Sequence, residues 1–143
     1  MFKKELIITI CVLLITFFNP TAVCAEETRY IEIFDTKQDK VIKTVQPSKD
    51  LYKMVVDCIN GINEIYVKVN PIQDNGYVIR IPVTHAIEVN NKWLNTIVSE
   101  VFILVPENSL PFFIVLDNNS RPLCFPFTEE IAILSRVLDF RLN

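Results

Sequence analysis

Apolar positions recur along this chain with three different spacings, and each spacing predicts a different element. Residues 6–18 are apolar throughout except for Thr9 and Thr16. From Tyr30 the pattern changes to alternation: Tyr30, Ile31, Glu32, Ile33 and Phe34, then a polar stretch over 35–40, then a β-prone run over 41–45. Two such runs across a short polar connection predict a hairpin. After Pro47 the spacing becomes helical, with Leu51, Met54, Val55, Cys58 and Ile62 on one side and Lys49, Lys53, Asp57 and Asn60 on the other. Ser48 precedes the first turn, where its hydroxyl can accept an otherwise unpaired backbone N–H. Asp50 suits the positive end of the helix dipole. Gly61 is expected to close the helix in the left-handed conformation.

Alternation then returns. Ile65, Val67 and Val69 alternate with Tyr66, Lys68 and Asn70, predicting a strand over 65–69. The cluster Gln73, Asp74, Asn75 and Gly76 predicts a turn, because Asn-Gly tolerates positive φ. Further strands are expected over 77–83, 86–89, 96–105, 111–117 and 122–127, with Pro82 at a sheet edge or past the ladder. Thr128 is expected to cap a last helix whose apolar face is Ile131, Leu134, Val137 and Leu138. Short connections between consecutive strands favour antiparallel pairing. The fold class expected is α+β: a single twisted antiparallel β-sheet of about 6–8 strands with two amphipathic helices packed on one face.

The apolar run over 6–18 follows Lys3 and Lys4 and is followed by Asn19-Pro20 and by Val23-Cys24-Ala25. A positive start, an apolar middle and a small residue at the end make a secretory signal peptide. Such a run spans about 20 Å as a helix, short of the ~30 Å that a membrane anchor must cross. Residues 1–25 are therefore expected to be removed after Ala25, leaving residues 26–143 as one domain that is secreted or otherwise extracytoplasmic, with no stable membrane anchor. A lipid-modified Cys24 would need a small residue before it, and Val23 is bulky.

Composition narrows the function. Removing Lys3, Lys4 and Glu5 from 14 basic and 17 acidic residues leaves 12 and 16, a net charge of −4. There is no run of Lys or Arg, so a nucleic-acid partner is not expected. Two glycines rule out glycine-rich phosphate cradles and a nucleophile elbow. His85 is the lone histidine, and neither CxxC nor HExxH spacing occurs, so neither a metal nor a cofactor is expected. Carboxylates are adjacent only at Glu26-Glu27 and Glu129-Glu130, a chain terminus and a helix start. Asn118-Asn119-Ser120 matches a glycosylation sequon, relevant only to a eukaryotic chain.

Cys58 and Cys124 remain after the leader is removed. An exported chain permits a disulfide between them, worth about 4 kcal/mol for so long a loop. Two separately buried thiols are the alternative. A thiol–imidazole pair of Cys58 with His85 is disfavoured, since Cys58 lies on the apolar side of its helix.

One surface stands out. Strands paired as consecutive hairpins would direct Tyr66, Lys68, Arg80 and Glu100 away from the helices, with Val98, Phe102 and Leu104 sharing the direction of Glu100. Such a mixture of charge, apolar and aromatic groups reads as a solvated face with cross-strand ion pairs or as a partner-binding surface. The function expected is that of a small exported bacterial protein, a non-enzymatic domain that binds another protein or a cell-envelope component. The alternatives are a small secreted hydrolase without a linear motif and a self-associating structural module.

Overall fold

The computed structural model describes residues 29–67 and 75–142. The expected leader and the turn cluster at 73–74 lie outside the described residues. The element order is β1 (Ile31–Asp35), β2 (Lys40–Val45), α1 (Lys49–Asn60), β3 (Gly76–Asn90), β4 (Asn95–Pro106), β5 (Phe112–Leu116), β6 (Pro122–Pro126) and α2 (Ile131–Val137). The strands form one antiparallel sheet in the order β2-β1-β3-β4-β5-β6. The protein is thus α+β and mostly β, with six strands among the described residues.

Helix α1 starts as its sequence dictates. The Leu51 N–H donates to the Ser48 hydroxyl (3.2 Å), and Leu51, Met54, Val55, Cys58 and Ile59 are buried. On its outer side Lys53 and Asp57 pair at 2.6 Å, one turn apart. Gly61 is not left-handed as expected: its φ is −84° and its N–H makes the ordinary helical bond to the Asp57 carbonyl (2.9 Å), while the Ile62 N–H donates to the Ile59 carbonyl (3.3 Å), so the last turn tightens without reversing. Helix α2 begins at Ile131, with Glu130 rather than Thr128 at the cap position and no side-chain cap bond. The Phe127 N–H donates to the Pro111 carbonyl (3.2 Å) and its ring is buried. Those two ties hold the chain to β5 up to Phe127, and the cap falls two residues beyond Thr128.

The register aligns apolar rows across the sheet. Ile33, Ile79, Ile103, Phe113 and Phe125 are successive cross-strand neighbours on β1, β3, β4, β5 and β6. All five are at most 2% exposed. They share one apolar cluster with Leu51 and Val55 of α1 and with Leu134 and Leu138 at α2. Each such fully buried side chain stabilises the fold by about 1.5–3 kcal/mol.

Strand β3 merges the two strands expected over 77–83 and 86–89. Pro82 stands opposite Glu100 and Ile87 opposite Val98, so four residues of β3 face Ser99 alone. This bulge carries Thr84 and His85, both exposed. It also changes the phase of β4. Val98 is 1% exposed in the main cluster, whereas Glu100 faces the other way, so Val98 does not share the direction of Glu100. The strand expected at 65–69 is absent over 65–67, while residues 68 and 69 lie outside the described residues.

At the far edge, β6 places Pro122, Cys124 and Pro126 with their backbone groups outward, since the Phe127–Pro111 bond fixes the alternate residues as the ones bonded to β5. Two of these three positions lack an N–H, and the Cys124 carbonyl accepts the Tyr66 N–H (2.8 Å). At the start of β3, Gly76 has φ +152° and lies against the backbone of β4: a Cβ there would fall 2.2 Å from the Val105 carbonyl oxygen. No helix among the described residues is long and apolar enough to cross a membrane.

Candidate functional site

Opposite the main cluster, the same register builds a second set of rows. Thr44, Glu32, Arg80, Phe102, Ile114 and Cys124 are successive neighbours across all six strands. The next row is Val41, Phe34, Val78, Leu104, Phe112 and Pro126. Alternation of strand side chains puts both rows on the side away from Ile33, Ile79 and Ile103. This side divides into two halves with different chemistry.

The first half is ionic. The Arg80 Nε donates to Glu100 (2.9 Å) and its Nη1 to Glu32 (3.3 Å), so a guanidinium on β3 is held between carboxylates from β4 and β1. The three side chains are 43%, 29% and 39% exposed. The hydrogen bond to Glu100, with the Glu32 carboxylate adding to it, raises the Arg80 pKa further above its ordinary value. Two negative charges surround one positive charge, and a carboxylate has about four acceptor sites, so both retain capacity toward solvent.

The second half is apolar. Leu104, Phe112, Ile114 and Cys124 form a small separate buried cluster, with Tyr66, Val78 and Phe102 half-buried against it. Tyr66 reaches it from the segment after α1 and stacks at a tilt on Phe112, with ring centroids 5.7 Å apart. Its backbone bond to Cys124 and this ring contact are why 66 hooks over β6 instead of continuing as a strand.

Of the residues expected on this surface, Arg80, Glu100 and Phe102 are brought together, and Tyr66 lies in the apolar half. Lys68 is outside the described residues. Glu32 was not foreseen: it is the polar position between two buried isoleucines, but its partner is visible only once β1 is known to sit between β2 and β3. Cys58 and Cys124 are not joined by a disulfide. Cys58 belongs to the main cluster and Cys124 to the small one on the other side of the sheet. Burial, with the Glu129 and Asp57 carboxylates nearby, pushes the Cys58 thiol up to about 12.

Two hollows lie elsewhere. A shallow cleft of about 330 Å³ separates α1 from α2 and is lined by Asp50, Lys53, Asp57, Glu129 and Arg136, among others. A smaller apolar one lies beneath the β3 bulge, between Ile31, Leu51 and Val83. His85 stands edge-on to Tyr52 (6.2 Å between centroids), and its carbonyl accepts the Tyr52 hydroxyl (3.4 Å). Cys58 lies six residues further along α1, about 9 Å along the axis, so imidazole and thiol are not assembled as a pair. Among the described residues no three His, Cys, Asp or Glu side chains converge as metal ligands.

With protein families, characterised proteins and solved structures, the comparison gave no match to this chain.

Proposed function

We propose that this chain is exported, loses residues 1–25, and acts as a non-enzymatic interaction domain for another protein or a cell-envelope component. In this reading both helices pack on one face of a twisted sheet, and the opposite side is the working surface. The observation that carries the proposal is the ionic half of that side: Arg80 between Glu32 and Glu100, bordered by Phe102 and left more than a quarter exposed. Ion pairs this exposed add at most about 1 kcal/mol to a fold, so stability alone is a weak reason for a three-charge cluster beside half-buried aromatics. Polar groups rimming apolar ones are the composition of contact surfaces.

The test uses the chain from Glu26 to Asn143, immobilised and exposed to the envelope fraction of its own cells. Phe102→Ala and Tyr66→Ala are expected to lose the retained partner, while His85→Ala keeps it, with circular dichroism and thermal melting reporting whether each variant is folded. Equal retention by all three folded variants, or no retained component at all, would overturn the reading. The unreduced mass of the secreted product tests export independently: a mass beginning at Met1 excludes removal of a leader.

A further inference from the structure

We propose that the partner of this surface is cationic: a protein segment carrying lysine or arginine beside apolar residues. The inference rests on the reading of that side of the sheet as an interaction surface and names the chemistry it accepts.

The charge arithmetic is local. Glu32 and Glu100 share one guanidinium, so the cluster carries a net negative charge while remaining 29–43% exposed. Arg80 spends two of its N–H donors on the two carboxylates, and its single positive charge is shared between them, so the excess at the cluster is negative. An approaching carboxylate or phosphate would meet the two glutamates flanking Arg80 and be repelled. An approaching ammonium or guanidinium would meet acceptors that have capacity to spare.

The surroundings extend the match. Along the row that crosses the sheet, Arg80 is followed by Phe102 and then Ile114. A segment with a basic residue beside an apolar one would lay its charge over β1–β3 and its apolar group toward Phe102 and Val78. The chain as a whole is also acidic, with 17 acidic against 14 basic residues, which favours the approach of a cation over a longer range.

The test is a sign test with defined probes. A fluorescein-labelled peptide of alternating lysine and valine, and its glutamate–valine counterpart, are titrated by anisotropy at about 0.01 M and about 0.15 M salt, where the Debye lengths are ~30 and ~8 Å. The lysine peptide should bind and weaken as salt rises. Glu100→Gln and Glu32→Gln should each weaken it by about two- to five-fold, the range of exposed ion pairs, and Arg80→Gln should tighten it by a similar factor. Glu130→Gln, an equal change of net charge elsewhere, should leave the affinity at about 0.15 M salt close to native, because the longer-range attraction is screened there; a weakening equal to that of Glu100→Gln would reduce the effect to overall charge and overturn the proposal. Binding of the glutamate peptide that is lost in Arg80→Gln would overturn the cationic partner while leaving the surface as an interaction site. If neither peptide binds and the Arg80 and Glu100 variants hold the envelope component as the native chain does, the surface assignment falls as well.

Discussion

Replacing Gly76 with alanine puts a methyl group where the backbone of β4 already is. The added Cβ would sit 2.2 Å from the Val105 carbonyl oxygen, 2.8 Å from Pro106 Cα and 3.0 Å from the Val105 carbonyl carbon. None of these atoms is the tip of a flexible side chain, so relief requires β3 and β4 to separate at the end where Gly76 pairs with Pro106. The neighbouring ties would move with it: the Thr36 N–H and hydroxyl both donate to the Gly76 carbonyl, at 3.1 and 3.0 Å. A side chain held at φ +152° costs of order 1–3 kcal/mol, and the steric insertion about as much again. The expected loss is about 2–6 kcal/mol, a large share of the roughly 5–15 kcal/mol that holds a domain folded, with a fall in melting temperature of roughly 10–20 °C. Gly61, the chain's other glycine, is the internal control. Its φ is ordinary and its added Cβ would lie 3.1 Å from the Asp57 carbonyl oxygen and 3.7 Å from that of Cys58, a tight contact that a shift of a few tenths of an ångström relieves, so Gly61→Ala should stay within about 1 kcal/mol of native. Urea unfolding followed by far-ultraviolet circular dichroism measures both. A Gly76→Ala variant as stable as the native chain, or a Gly61→Ala variant equally damaged, would refute the reasoning.

Three further outcomes are expected. Ser48→Ala removes the acceptor for the Leu51 N–H and should cost about 1 kcal/mol in the same unfolding assay. The Asp35 carboxylate is held below its ordinary value of 3.8, chiefly by the Gln38 amide and also by the Lys37 and Gln38 N–H groups. Its folded pKa is thus depressed, so its contribution is present above the unfolded pKa and is lost as pH falls through the folded one; Asp35→Asn should flatten the acid side of a stability–pH curve without changing its shape near neutrality. Cys58, with its thiol pushed up to about 12, should resist iodoacetamide at pH 8 in the native chain and react when urea unfolds it; rapid native labelling, read by mass, would contradict the burial described.

What could be read from the sequence was what is local. Ser48, the spacing of Leu51, Met54, Val55 and Cys58, and the charged positions opposite them specify α1 within a dozen residues, and the structure follows. The hairpin β1–β2 and the apolar alternation of β4 were legible for the same reason. The order of strands was not, because nothing within β1 states that β3, some 45 residues later, will lie on its other side. Glu32 was missed with it, and so the charged face read as Lys68, Arg80 and Glu100 lacked its β1 carboxylate. Val98 was misplaced because a bulge on one strand resets the facing of its neighbour, and the bulge of β3 has no signature beyond Pro82. Gly61 shows the opposite error: a glycine in the right place suggested a left-handed cap, whereas the chain needed only a tight last turn.

The β6 edge has a consequence for how crowded copies of this protein behave. Sheets lengthen into filaments by adding strands at both rims, each new molecule offering a fresh ladder to the next. Here one rim presents two prolines that cannot donate and a carbonyl already claimed by the Tyr66 hook. The opposite rim, β2, is six residues long, irregular between Ile33 and Phe34 in its pairing, and carries Lys40 and Lys43. A molecule that arrives there brings a blocked rim with it, so growth stops instead of propagating.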